Sequence, residues 1–350
     1  MSDPFTTVSA ELPRDRWGRP LIAPPEGGDP VAYMRVTTFV KCLDDTYHLE
    51  RWKMRMVLAG AAARRDLVLA TIALKDIESP QDKRTINALA EKAIEAAKGT
   101  AAATTGTALH SLTEKIDAGE DLGNNVPEEY LADLDAYRDA VRFMGRVVAM
   151  EGFCIVDDLR VGGSYDRIFE FTVESLDLFE SESGHRLSYP DGTEVVPGDT
   201  IIGDLKTGKS IDFGIGAIAM QLATYANAVD YDHALGARRP HAVNNRKWAV
   251  VIHLPAGKGR AELVWVDIEA GWKTVVEVAP LVHAWRKKKD LSYSFLSRSS
   301  STPPPVALPA LIAEAPNGAS LRALYAAHAT SWTPGLTALS KARLVALGEV

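Results

Sequence analysis

The strongest constraint on the fold is a change of hydrophobic period near residue 150. Before it, apolar residues recur at helical spacing. His48 to Gly60 brings Trp52, Met56 and Leu58 or Ala59 near one face and ends at Gly60. Lys83 to Lys98 reads as an amphipathic helix stopped by Gly99, and further helices are expected from about Thr105 to Ala118 and from Glu128 to Met150. Beyond that point come short β-rich runs bounded by turn residues: Phe153 to Val156, Gly163 to Thr172, Thr200 to Lys206, Trp248 to His253 and Glu262 to Val266. Glu180 to Asp199 is polar, carries Pro190-Asp191-Gly192, and reads as a hairpin-like excursion. Helices from about Ile215 to Ala234 and from Glu269 to Lys288 follow, with Asp267 as the N-cap of the second. A helical preamble followed by strands, helix and strands predicts an α/β (α+β) fold, its central mixed sheet flanked by helices.

The ends differ in composition. Residues 1–35, rich in Pro, Gly and charge, read as extended and loosely packed; Arg35-Val-Thr-Thr-Phe then leads into a helix capped by Thr37 or Thr38. The main domain spans 36–295. Residues 296–309 are a Ser/Pro-rich linker stiffened by proline. Residues 310–350 form a small helical module, with one helix from Ser320 through Ala327 and a last one opened by Thr333-Pro334.

Composition removes several function classes. The chain has 350 residues, 46% hydrophobic and 24% charged, as in an ordinary globular protein. It holds no apolar run of membrane-span length, and its N-terminus lacks the order of a signal peptide, so a cytoplasmic location without membrane partners is expected. Two cysteines, Cys42 and Cys154, exclude a four-cysteine iron–sulfur cluster within one chain. A net charge of -7 argues against a nonspecific nucleic-acid coat. It leaves room for a metal-dependent DNA enzyme, which needs acids and only local basic contacts such as Arg64-Arg65, Arg238-Arg239, Arg246-Lys247 or Arg286 to Lys289.

Gly203 to Ser210 supports two incompatible functions. It fits the phosphate-loop pattern G-x-x-x-x-G-K-[ST]. The same residues end an apolar run with Asp204-Leu205-Lys206, an acid and a lysine two apart and therefore on one face of a strand. A phosphate loop must open straight into a helix, yet Ser210 is followed by Ile-Asp-Phe-Gly-Ile-Gly, and Asp204 would sit among phosphate-binding amides. An ATP-binding module therefore stands as the alternative, and no nucleotide cofactor is expected. Three further constellations lie around this strand: Gly106 to His110 with Glu114 on the same helical face, Gly162-Gly163-Ser-Tyr-Asp166, and Gln221 with Tyr225 one helical turn apart. The other histidines show no pairing at metal-ligand spacing.

Taken in order, a G-x-x-x-H helix, an Asp in a G-x-x-D strand, a G-D-x-K strand and a Q-x-x-x-Y helix resemble the RecB-like branch of the PD-(D/E)XK nuclease superfamily. Thr37 to Trp52 is similar to the entry helices of its phage-type members, and the layout resembles phage recombination exonucleases over roughly residues 35 to 290. The resemblance implies a restriction-endonuclease-like core and a metal-dependent deoxyribonuclease acting on DNA ends in recombination or repair. Asp166, Asp204 and Lys206 would be catalytic. His110, Asp166, Asp204 and the carbonyl of Leu205 would hold Mg²⁺ or Mn²⁺, and Gln221 and Tyr225 would contact DNA. Carboxylate and carbonyl oxygens suit such hard cations, and imidazole suits Mn²⁺. Candidate partners are linear DNA, a single-strand-annealing recombination protein and further copies of the chain. The third function class is a catalytically inactive, nuclease-like domain that binds DNA or protein.

Overall fold

A hairpin opens the described part of the chain: β1 (Leu21–Ile22) pairs antiparallel with β2 (Val31–Ala32), the turn between them taking positive φ at Gly27 and Gly28. The computed structural model describes residues 12–97, 101–123, 126–289, 291 and 307–349. The expectation of loose packing up to residue 35 fails from residue 20 onward. Ile22 and Tyr33 are buried with Ile155 and Tyr231, and the Tyr33 hydroxyl donates to Asp157 at 2.7 Å.

β3 (Met34–Arg35) and the short helix α1 (Val36–Val40) follow. Thr37 and Thr38 lie inside α1 and cap nothing; its N-cap is Arg35, without a side-chain hydrogen bond. α2 (Tyr47–Ala63), α3 (Arg65–Ile72) and α4 (Pro80–Ala96) pack on one another. Gly60 is not a stop. It is buried within α2, where an added Cβ would strike the backbone of Ala93 in α4. Ser79 caps α4 through the Asp82 amide, with Pro80 in the first turn, so this helix starts earlier than its periodicity suggested. Its expected stop at Gly99 lies outside the described residues.

α5 (Ala101–Asp117) and α6 (Glu128–Val141) complete the helical half. The helix expected to reach Met150 ends nine residues short of it, because Arg146–Met150 forms β4 and its valines are taken into sheet pairing. β5 (Phe153–Val156) and β6 (Val161–Ser164) make a hairpin. The run expected from Gly163 to Thr172 is then cut in two, since β7 (Arg167–Glu170) belongs to a different sheet from β6. α7 (Val173–Ser183) occupies the start of the supposed excursion, held by a capping box between Thr172 and Ser175 and ended by Gly184. Only the later part, bridged at Ser188 and Glu194, is hairpin-like.

β8 (Thr200–Lys206) is the longest strand, followed by α8 (Ile215–Ala226). That helix stops before Ala234 because Val229–Asp232 pairs with β5 as β9, next to β10 (Ala237–Arg239). β11 (Trp248–His253) and β12 (Glu262–Asp267) come next. α9 (Ile268–Glu277) is capped by Asp267 as expected, and α10 (Ala279–Lys287) follows it as a separate helix.

The α+β architecture is present. Apart from the β1–β2 hairpin, the described strands divide between two mixed five-stranded sheets, ordered β10-β9-β5-β6-β3 and β12-β11-β8-β7-β4. In the second, β8 runs parallel to β11 and antiparallel to β7. Alternation along these strands sorts the core: Ile168, Ile202 and Val251 share one cluster with α1, α8 and α9, whereas Phe169, Ile201, Leu205 and Val250 share another with α5 and α6. Asp204 and Lys206 have the parity of Ile202 and thus face the α8 side.

The chain divides at Lys287 and Lys288 into two compact units. The second contains α11 (Leu308–Glu314), α12 (Gly318–Ala327) and α13 (Pro334–Ala346) around Leu308, Ile312, Leu321 and Leu336. Thr333 caps α13 as expected. Leu308 and Pro309, read as linker, open α11, while residues 296–306 lie outside the described set. Among the described residues no helix is long and apolar enough to cross a membrane.

Candidate active site

Asp166 sits on the two-residue crossing from β6 to β7, where the chain passes from one sheet to the other. Its Oδ2 accepts the Leu205 amide at 3.0 Å, which ties the crossing to the middle of the adjacent sheet. α5 approaches the same place. An added Cβ at Gly106 would lie 2.6 Å from Thr207 Oγ1, so the helix comes close to the end of β8 and an alanine there would make the Thr207 side chain turn away. One turn on, His110 Nε2 meets the Leu205 carbonyl at 3.0 Å and Nδ1 stands 3.6 Å from Asp166 Oδ2. Both ring nitrogens thus face oxygens, and filling both contacts takes an added proton or a metal ion.

Asp204 is 2% exposed. Burial and the neighbouring Asp166 push its carboxyl up to about 6, against the partial relief of Lys206. Lys206 Nζ stands 2.5 Å from Asp204 Oδ2, so the lysine ammonium is the ion-pair partner of that buried oxygen. Burial makes such a carboxylate costly, and the lysine offsets that cost only in part. On the facing helix α8, Gln221 Nε2 donates to the Tyr225 hydroxyl at 3.3 Å. Burial pushes the Tyr225 phenol up, which keeps it a neutral donor. A cleft of about 170 Å³ opens beside this ring, lined by Arg14, Arg35, Ser164 and Tyr225 among others.

The residues expected at the site therefore gather around one strand end: His110, Asp166, Asp204, Leu205 and Lys206 in direct contact, with Gln221 and Tyr225 on the helix packed over β8. Among the described residues no three His, Cys, Asp or Glu side chains form a ready-made metal cage. Imidazole, carbonyl and Asp166 satisfy one another instead, and Asp204 Oδ2 is held by Lys206.

Two participants escape a reading of short motifs. Glu151, at the end of β4, holds its backbone amide against the Asp166 carbonyl at 3.0 Å with a positive φ. Burial, together with Asp166, Glu114 and Asp204, pushes its carboxyl up to about 7. No spacing rule would find it, because its place is set by the irregular pairing of β4 and β7. Arg167 is fully buried directly behind Asp166. It donates to the Tyr137 hydroxyl and lies 3.3 Å from Asp117, which in turn accepts from Tyr137. Strand alternation carries the signal for it: if Asp166 faces the site, Arg167 must face the core.

The phosphate-loop pattern takes a different form here. Gly203 to Lys206 are paired with β11, and Gly203 with β7 as well, so these residues belong to the sheet rather than to a loop. The turn after Lys206 is fixed by His253, whose Nε2 meets the Gly208 carbonyl at 2.9 Å. No protein-family model matches the sequence, and a search of curated proteins returns no match.

Proposed function

We propose that the chain is a metal-dependent deoxyribonuclease that hydrolyses phosphodiester bonds at DNA ends, in recombination or repair of the phage type. The observation that carries the reading is the junction of β8 with α5 and the β6–β7 crossing. Three motifs separated by up to a hundred residues meet there around the buried Asp204 carboxylate, which is ion-paired with Lys206. Asp166, Asp204, the Leu205 carbonyl and His110 are a donor set suited to Mg²⁺ or Mn²⁺. Such an ion supplies charge neutralisation at the phosphate and a lowered pKa for water.

The chain's own groups do the rest. Lys206 Nζ would orient the attacking water and stabilise the hydroxide as its proton passes to solvent. The Tyr225 hydroxyl and Gln221 amide are donors for a non-bridging phosphate oxygen. Arg14 and Arg35 give a local positive wall in a chain of net charge -7. Leaving-group protonation by water completes the hydrolysis.

The alternative ATP-binding reading requires Gly203 to Ser210 to wrap a phosphate as a loop, but Gly203 to Lys206 is β-strand and the Leu205 amide donates to Asp166. The decisive experiment digests end-labelled linear and covalently closed circular DNA with Mg²⁺, Mn²⁺ or chelator. Nucleotide release from linear DNA alone, lost with chelator and with Lys206→Ala but largely retained with Lys209→Ala, is the expected result. Loss with Lys209→Ala alone, or ATP turnover without DNA cleavage, would refute it.

A further inference from the structure

Phe213 is the most exposed large apolar side chain among the described residues, 92% open to solvent. It lies in the turn Asp212–Gly214 that joins β8 to α8, between Lys206 and Gln221. A lone exposed ring would need no explanation, but this one has company. The His48 ring, at the start of α2, lies 5.8 Å from it between centroids, and Tyr47 meets His48 edge-on at 5.3 Å. The Arg51 guanidinium stands 5.9 Å over the Tyr47 ring. Two segments far apart in sequence thus build a strip of three rings and a cation. It borders a cleft of about 350 Å³ that also reaches Leu43 and Met220. Aromatic faces interleaved with guanidinium are a surface for stacking planar groups.

Charge decides what kind of planar group fits. Asp44 and Asp45 line the same cleft. Glu50 accepts from Thr46 at 2.7 Å and Asp212 from Ser210 at 2.7 Å, so both carboxylates stay close to the strip. These acids repel a phosphate, only partly offset by Arg51, whereas the uncharged face of a nucleobase meets no such penalty. Position adds the second constraint. Phe213 follows Lys206 by seven residues, a reach of at most about 25 Å. Thr207 and Gly208 in between are pinned against α5 and His253. The ring is therefore held within a few nucleotides of the acids.

We propose that Phe213, backed by His48 and Tyr47, is a stacking platform for an unpaired base of the strand whose backbone enters the Asp166, Asp204 and Lys206 site. The assignment rests on the nuclease reading and extends it: the substrate must present single-stranded character next to the bond that is cut.

The test uses the full chain with Ca²⁺ in place of Mg²⁺ and a single-stranded oligonucleotide carrying 2-aminopurine near its end. Binding of wild type should quench the fluorescence. Phe213→Ala should weaken binding about 5- to 100-fold and abolish the quench, Phe213→Tyr should restore both, and Phe213→Leu should restore neither. Wild-type behaviour of Phe213→Ala, or of Phe213→Leu, overturns the proposal. A change in self-association by Phe213→Ala with DNA affinity intact also overturns it and marks the strip as a contact between copies. Nucleotide release with Mn²⁺ is read separately. A protein that cuts but is indifferent to Phe213→Ala loses only the platform, and one that neither cuts nor quenches loses both readings.

Discussion

Replacing Asp204 by asparagine should make the metal-free protein more stable, and the size and pH dependence of that gain are set by the burial of the carboxylate. Its pKa of about 6, against 3.8 when unperturbed, means that the folded state holds the proton more tightly than the unfolded chain. The favourable contribution of the protonated form is fully present below about pH 3.8 and is lost as pH rises through about 6. At about 1.4 kcal/mol per pH unit, the wild type carries a penalty of roughly 3 kcal/mol at pH 8. An asparagine of the same shape avoids it. In chelator at pH 8, Asp204→Asn should therefore gain on the order of 1–3 kcal/mol, visible as a Tm rise of several degrees for a unit of this size. At pH 4 the two proteins should coincide. Mn²⁺ should invert the order at pH 8, because a bound ion stabilises the wild type by mass action while a neutral amide is a poorer donor. Urea or thermal unfolding in chelator, at the two pH values and then with Mn²⁺, measures all three differences. An Asp204→Asn protein less stable than wild type at pH 8, or a difference unchanged between pH 8 and pH 4, would refute the account.

Other perturbations follow from the same geometry. Arg167→Met should destabilise by roughly 3–5 kcal/mol, because it leaves Asp117 buried without its counter-charge; an unfolding midpoint unchanged in urea would contradict this. Gly106→Ala should make the Thr207 side chain turn away, at a cost of about 1 kcal/mol. It should also weaken Mn²⁺ binding measured by calorimetry, and unchanged affinity would show that the close approach does not set the site. Tyr225→Phe removes the hydroxyl that accepts from Gln221 and should raise KM for DNA while leaving Mn²⁺ affinity intact; the reverse pattern would place Tyr225 on the metal side. Truncation at Thr302 should alter self-association or capture of a single-strand-annealing protein, and a chain unaffected in both would leave the tail without either role.

Much of the candidate site was legible because its residues sit where local pattern is strong. β8 alternates so regularly that Asp204 and Lys206 could be put on one face, and His110 lies on a helix whose period is plain. Asp166 was harder. It stands in a run that reads as one strand, and only the division of β6 and β7 between two sheets reveals why an acid there is held against the Leu205 amide. Boundaries failed wherever long-range pairing overrode local preference: Arg146–Met150 and Val229–Asp232 look like helix continuations but are claimed by β7 and β5. Gly60 looked like a stop because glycine often ends helices, yet its lost side chain serves a helix crossing. Glu151 and Arg167 have no local signature, since their roles arise from burial beside groups distant in the chain.

The passage of the chain from one sheet to the other at Tyr165 and Asp166 has a mechanical consequence. One acid rides on the joint between two sheets, and the other is fixed inside the second sheet, so the spacing of the two carboxylates gauges how the sheets are set against each other. Arg35 and Ser164 belong to strands of the first sheet and face the cleft beside Tyr225. On the proposed nuclease function, a strand of DNA pulling on that cleft would bear on the joint within two residues of Asp166, and grip and alignment of the acids would then be parts of one lever.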